Sequence, residues 1–383
     1  MKKMAILLLN YNGKEHCEKF CENIIEFLPD DMCDLFLIDN KSDDRNFETI
    51  QLISPDIKII LNDQNYGWAK GYNQGLKKID PNGNKYQYYM FINNDTIPTK
   101  SWLDEILKNL NDFDSEVAEI GCRSLFYPFV IKESPFYNNN KVELKSFKYH
   151  YRPGDEMFLQ YDEGITNFTM TAYNPTESDQ KLEVKSYKFE LNNSNNSNLI
   201  LIPPKTQASI KLRAKFSVDK RSYIIQNSGI GLNHNFDGYD LHWGDTLDTP
   251  QSTDISGVCG VCKIVRSSVY HKTKGFDESY FMYYEDLDYS LTLRSKEKRS
   301  KIIDSAILYH RHAATSVENS PFFIKQVAAS MIVFKLRWGS TKIKIKTILY
   351  YLKKALGEVI YRNRGYHYAK NLLFSINKVK IYK

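Results

Sequence analysis

Four short apolar runs occupy the first hundred residues, and each of them stops on asparagine or aspartate. They are Ala5 to Leu9 before Asn10, Leu35 to Ile38 before Asp39-Asn40, Ile57 to Leu61, and Met90-Phe91-Ile92 before Asn93-Asn94-Asp95. Between the first two, Cys17, Phe20, Cys21, Ile24, Ile25 and Leu28 recur at helical spacing, which predicts a helix over 14–28. Phe47 to Ile53 and Trp102 to Leu110 are further helix candidates. Strands alternating with helices require a mostly parallel sheet with right-handed crossovers. In such a sheet ligands bind outside the carboxyl edge, where these polar residues would stand.

The stretch from Met90 to Pro98 concentrates this logic, because a buried strand runs directly into a carboxylate. A hard cation such as Mg²⁺ or Mn²⁺ takes oxygen ligands there and leaves positions for phosphate oxygens. An Asn-Asp turn closed by Pro98 is the simpler reading of the same residues. Asp39 is placed to accept a hydrogen bond from a base or ribose. From Asn65 through Gly67, Gly71 and Asn73 to Gly75, glycines recur every few residues, so the backbone can bend closely around a ligand before entering a helix.

From Phe129 to Ser222 the rhythm changes to apolar and polar residues in alternation, as in Lys181 to Leu191 and Ala208 to Ala214, with Asn174-Pro175 and Pro203-Pro204 as punctuation. That pattern predicts an inserted antiparallel β-sandwich, with Tyr149, Tyr151, Phe158 and Tyr161 as candidate aromatic contacts. The α/β character then returns, with a small-residue strand expected over 255–265 and another over 301–309. The expected division is 1–128, the inserted 129–222, 223–318, and a basic helical region over 319–383.

Charge separates the last of these from the rest. The net charge is +6, but Lys335 to Lys383 carries thirteen lysines and arginines against Glu358 alone. The tail is therefore +12 and the preceding residues are −6. Its interleaved Ile343, Ile345, Ile348, Leu349, Tyr351, Leu352 and Leu356 favour an anionic membrane surface over nucleic acid, as an interfacial helix. A helical cap with a solvated basic face fits equally well. No run reaches the roughly 18 apolar residues of a spanning helix, and the first apolar run is interrupted too soon by Asn10 for a signal peptide's core. The expectation is a cytoplasmic protein, with peripheral contact at the inner face of the membrane. Six cysteines are too few for a disulfide scaffold, and Cys259 and Cys262 lack a second pair to complete a zinc site.

Glu285, Asp286 and Asp288 crowd a predicted helix start behind an aromatic stretch, where the helix dipole favours anions. A carboxylate held there can accept a proton from a hydroxyl nucleophile. An acidic first turn supported by Arg294 is the alternative. His310, at a strand end, is either a metal ligand with Asp95 or a satisfied polar residue, and His312 would point the opposite way.

In this order, Asn10-Tyr11-Asn12-Gly13, Asp39-Asn40-Lys41-Ser42, Asn65 to Gly75, Asn93-Asn94-Asp95, Gly275-Phe276-Asp277-Glu278, Tyr284 to Asp288 and Tyr309-His310 resemble the family-2 inverting glycosyltransferases of GT-A fold. The likeness is to the bacterial rhamnosyltransferase-like branch and covers about 4–127 and 225–316. The resemblance implies a Rossmann-like GT-A domain that moves a sugar from a nucleotide-sugar to a hydroxyl of a cell-surface glycan such as O-antigen or capsule, free or lipid-linked. It implies Asp286 as base with Glu285 beside it, Asp95 and His310 at a divalent metal, and Asn10, Tyr11, Asn12, Asp39, Asn40, Asn65, Gly67, Asn73, Asn93 and Asn94 toward the donor. Asn93 stands where the family has a first aspartate, which leaves Asp95 most of the charge. A scaffold or carbohydrate-binding protein without turnover is the second expectation. A nucleotidyltransferase would want a Gly-rich basic loop after the first strand, which Asn10 to Gly13 is not.

Overall fold

A computed structural model describes residues 1–44, 47–136, 141–146, 149–151, 157–161, 167–184, 189–192, 198–215, 222–251, 254–311 and 321–360. The expectations on His312 and on the tail beyond 360 fall outside them.

In chain order the elements begin β1 (Lys2–Asn10), α1 (Lys14–Ile25), β2 (Cys33–Asp39), α2 (Phe47–Ile53), β3 (Lys58–Leu61), α3 (Gly67–Ile79), β4 (Tyr86–Asn93), β5 (Thr96–Ile97), α4 (Lys100–Asn109) and β6 (Val117–Phe126). Short strands follow: β7 (Phe129–Glu133), β8 (Glu143–Ser146), β9 (Tyr149–Tyr151), β10 (Met157–Tyr161), β11 (Asn167–Tyr173), β12 (Gln180–Glu183), β13 (Phe189–Leu191), β14 (Leu199–Ile202), β15 (Gln207–Ala214), β16 (Ile225–Asn227), β17 (Ile230–Leu232) and β18 (Gly238–Asp240). The chain continues with β19 (Cys262–Arg266), α5 (Ser267–Thr273), α6 (Glu285–Arg294), β20 (Arg299–His310), α7 (Pro321–Trp338) and α8 (Thr341–Ile360).

The large sheet has the order β3-β2-β1-β4-β19-β6-β20-β5. Its first four strands are parallel, and β19 then pairs antiparallel with both β4 and β6. The parallel part explains the unbroken apolar runs. Met4, Ile6 and Leu8 of β1 face α1 and α4 through Phe20, Ile24, Trp102 and Ile106, whereas Ala5 and Leu7 face α3 through Ala69, Tyr72 and Leu76. A strand buried on both faces has no polar side to show in its sequence. Register brings the polar strand ends together, with Asn10 opposite Asp39 and Leu9 opposite Asn93.

The chain divides into two compact units. The first comprises Met1–Ser124, Asn227–Leu241 and Gln251–Lys383, and the second Leu125–Gln226 and His242–Pro250. In the second, the pairings are antiparallel, in a five-stranded sheet of order β13-β15-β11-β8-β9 and the two-stranded pairs β7–β10 and β12–β14. Alternation sets its core, because Phe168, Met170 and Ala172 of β11 lie opposite Leu212, Ile210 and Ala208 and all but Ala208 are buried.

The strand expected over 255–265 is shorter, Cys262–Arg266. Gly257 and Gly260 instead form a turn-rich segment against α6, where a Cβ on Gly257 would lie 2.5 Å from the Ser290 hydroxyl. Val333 and Phe334 of α7 pack with Leu287 and Leu291 of α6. On α8 the exposed Ile345, Leu349, Leu352 and Leu356 form one stripe, with Thr347, Tyr351 and Ala355 buried on another face. Among the described residues, no helix is long and apolar enough to cross a membrane.

Candidate active site

Asn10 is fully buried and joins the first two strand ends. Its amide donates to Asp39 Oδ1 and Ser42 Oγ, both at 3.1 Å, and its oxygen accepts from Gly13 N and from Asn94 Nδ2. Asp39 in turn accepts from the Ser42 amide at 2.9 Å and its hydroxyl at 2.6 Å. The Asp39 carboxylate is therefore held rigidly at the edge by short-range partners. Tyr11 is exposed, and Asn12 adopts a left-handed φ of 53° that asparagine tolerates better than most residues. Asn40 donates to Gly67 O at 3.0 Å and accepts from Asn62 at 2.9 Å, which ties β2 to the start of α3.

The glycine-containing segment has a structural explanation at two positions. Gly67 has φ +74°, and a Cβ there would lie 2.2 Å from Phe281 O, which accepts the Trp68 amide. The Asn65 side chain accepts from the Gly67 amide at 3.0 Å. Asn73, expected toward the donor, clasps the segment before α6. It donates to Phe276 O and Glu278 Oε1 and accepts from Phe276 N and the Tyr270 hydroxyl. Those four bonds use the whole capacity of an amide side chain and leave none for a ligand.

Asp95 and His310 meet directly, with Oδ1 and Nε2 3.1 Å apart and both residues buried. The pairing arises because Thr96 sits opposite His310 in the β5–β20 ladder. Burial pushes the Asp95 carboxyl up, but the charge and hydrogen bond of His310 outweigh it and hold Asp95 below the ordinary value. Among the described residues no group of three histidine, cysteine or acidic side chains gathers around one point. The donor set is one carboxylate and one imidazole. Two protein ligands fit a cation that completes its shell with phosphate oxygens and water.

Asp286 comes to the same region by a chain of neighbours. Its Oδ2 accepts from Gly260 N at 2.8 Å and its Oδ1 from Leu287 N at 2.7 Å. A Cβ on Gly260 would stand 3.3 Å from the Trp68 ring and 3.4 Å from Asp286 Oδ2. The Trp68 indole nitrogen donates to Asn93 Oδ1 at 3.4 Å, and Asn93 N donates to Val261 O at 3.0 Å. Gly260 and Trp68 thus bridge the Asp286 carboxylate to the end of β4.

The three acidic residues of α6 differ in environment. Burial pushes Asp286 above the ordinary carboxylate range, with the Lys263 cation and two backbone amides opposing. Burial, and then the neighbouring Asp286 charge, push Glu285 up further, and its Oε2 has no hydrogen-bond partner among the described residues. Asp288 instead belongs to the scaffold, accepting from Arg337, Trp338 Nε1 and the Tyr280 hydroxyl at 2.7 to 3.0 Å. Burial still outweighs the Arg337 cation and raises it to about 6. Arg294, considered as support for these acids, donates to Ile255 O. Tyr283 and Tyr284, just before the helix, have φ of 69° and 66°. Consecutive left-handed tyrosines are strained, and such strain concentrates at functional sites.

Sequence pattern points to neither Gly260, which falls within the small-residue strand expected over 255–265, nor Lys263. A lone lysine inside an otherwise apolar strand was the available signal.

Three comparisons bear on this arrangement. The Glycosyl transferase family 2 profile matches residues 6–158 of the 383. No curated protein sequence matches the chain. Among solved structures, GalNAc-T7 with UDP, GalNAc and Mn²⁺ aligns over 99% of this chain at 9% identity and a TM-score of 0.52. The alignment covers 54% of that protein, so this chain spans about half its length. A mannosyltransferase of Pyrobaculum calidifontis, in complex with GDP-Man and Mn²⁺, aligns over 98% of this chain and 86% of its own at 10% identity, with a TM-score of 0.46. The fold is of GT-A type, and the stretch from β1 through Asp95 and on to residue 158 matches glycosyl transferase family 2.

Proposed function

We propose that the protein is an inverting glycosyltransferase with Asp286 as general base. The observation that carries this reading is the approach of the Asp286 carboxylate, through Gly260 and Trp68, to the strand end that bears Asn93 and Asp95. In the proposed reaction Asp286 removes the proton of an acceptor hydroxyl. The oxygen attacks the anomeric carbon from the face opposite the nucleoside diphosphate, which departs with the bonding electron pair. Asp95 and His310 would hold a divalent cation, Mg²⁺ or Mn²⁺, that neutralises charge on the leaving diphosphate. Asn10, Asp39 and Asn40 build the edge on which the nucleotide would rest.

The acceptor proposed is a hydroxyl of a bacterial cell-surface glycan, as in lipopolysaccharide or capsule assembly, with a hexose or rhamnose transferred. The exposed stripe and lysines of α8 support a cytoplasmic enzyme held at the inner membrane face, where a lipid-linked acceptor would lie. A binding protein without turnover is the second reading, favoured by Asn93 in place of a second carboxylate. Uridine- and guanosine-diphosphate sugars, screened with Mn²⁺ or Mg²⁺ by thermal shift and by nucleoside diphosphate release, separate the two. A donor at a hundred times its Kd raises stability by about 2.7 kcal/mol. Asp95→Ala is expected to lose the metal-dependent part of that shift. Asp286→Asn should keep the shift and lose release by about a hundredfold or more. A stabilising donor that is never turned over would favour the binding protein.

A further inference from the structure

Lys263 is the second residue of β19, with its side chain wholly buried beside an equally buried Glu119 on β6. Its ammonium donates to Glu119 Oε2 and, at 3.0 Å, to Ser290 Oγ. Glu119 is completed by the Ser300 hydroxyl. Ser290 lies one turn beyond Asp286 on α6, donates to the Asp286 carbonyl at 3.0 Å, and accepts from Val258 N at 3.3 Å. The lysine is thus hydrogen-bonded to the element that carries Asp286 and linked through Ser290 to the segment whose Gly260 amide holds the Asp286 carboxylate.

Stability alone is a poor reason for this arrangement. Desolvating two ions costs several kcal/mol each, and well-packed apolar residues of similar volume commonly replace such a pair without loss. The surroundings of Asp286 suggest another reason. The titratable groups facing it are Lys263 from β19, Glu119 from β6, Glu285 on its own helix, and Cys259 and Tyr284 in the flanking segments. Lys263 is the only cation among these, within the described residues.

We propose that Lys263 is a positioning residue for Asp286, fixing the first turn of α6 through Ser290 and acting as the buried counter-charge to the Asp286 carboxylate. The inference rests on Asp286 being the base. Lys263 opposes the upward push of burial on Asp286, so removing the cation should make Asp286 harder to ionise.

The test uses the full chain labelled with carboxyl-¹³C aspartate, with Asp286→Asn identifying the Asp286 signal. Lys263→Met alone would leave Glu119 buried beside no cation, so the probe is the double variant Lys263→Met with Glu119→Met. Glu119 pushes Asp286 the other way and less strongly than Lys263, so its loss offsets part of the effect, and we expect the Asp286 titration midpoint of the double variant still to rise. Release of nucleoside diphosphate from the same nucleotide-sugar panel should fall about tenfold near neutral pH, with the acid limb of the pH profile displaced equally. Ser290→Ala should lower release and leave the midpoint in place. A folded double variant with the wild-type midpoint would overturn the counter-charge role, and undiminished release by Ser290→Ala would overturn the mechanical one. If Asp286→Asn itself retains release, the base assignment fails; if it is inactive while the double variant titrates normally, the role of Lys263 alone fails.

Discussion

Glu285 and Asp286 are neighbours in sequence but sit in different surroundings. Asp286 is half-buried and held by two backbone amides, which favour its charged form, while Glu285 is buried with an unsatisfied oxygen. Two carboxylates this close do not ionise together readily, and of the two Glu285 is pushed further toward its protonated form. The folded chain binds a proton on Glu285 that the unfolded chain releases above its ordinary 4.5, so the stability from this group falls as pH rises from there through the raised folded value. Glu285→Gln removes that dependence. Its melting temperature is expected to exceed that of the wild type by a margin that grows between pH 5 and 8, read by calorimetry; a constant or shrinking margin would mean that Glu285 is ionised in the fold. Asn73 shows the converse. A residue type suited to ligand binding is wholly engaged in joining α3 to the segment before α6.

At the scale of elements, the first turn of α6 is tied to the end of α7. Arg337 near the end of α7 bonds Asp288 and Asp277, and Trp338 adds a second bond to Asp288. Arg337→Met should cost about 3–5 kcal/mol in denaturant unfolding, since it leaves two buried carboxylates without their cation. A loss below about 1 kcal/mol would show the ion pairs to be dispensable. Helix α8 has an exposed side that the fold does not require, the stripe from Ile345 to Leu356 beside Lys342, Lys346 and Lys353. An interfacial helix gains from both features at once. The protein is expected to sediment with vesicles containing phosphatidylglycerol and much less with neutral ones. Leu349→Glu with Leu356→Glu should weaken that binding by about tenfold or more, given the apolar area lost. Equal binding to neutral vesicles, or no effect of the two glutamates, would remove the membrane reading.

For the molecule as a whole, the candidate donor residues from Asn10 to Asp95, together with Asp286 and His310, belong to the first unit. Replacing 130–222 by a short flexible linker is therefore expected to yield a folded protein that keeps its metal-dependent thermal shift with the donor. Loss of the shift in a folded variant would assign the second unit a part in donor binding. The α/β order and the polar strand ends were legible because they are local: period and run length set each element, and register then aligns Asn10 with Asp39. The antiparallel strands of the second unit were legible in the same way, from period-two alternation. The meeting of Asp95 with His310 was legible only as an alternative at a strand end and through the family resemblance, and the other contacts of the site were not, because the partners lie far apart in sequence. Asp95 meets His310 across 215 residues, Gly260 meets Asp286 across 26, and Lys263 meets Glu119 across 144. By itself the sequence determined the sheet, its polar edge and the separate character of the basic tail. Only the tertiary structure decided how strongly each carboxyl at the start of α6 is pushed toward its protonated form, because burial and a distant lysine set that balance, and neither is a property of neighbouring residues.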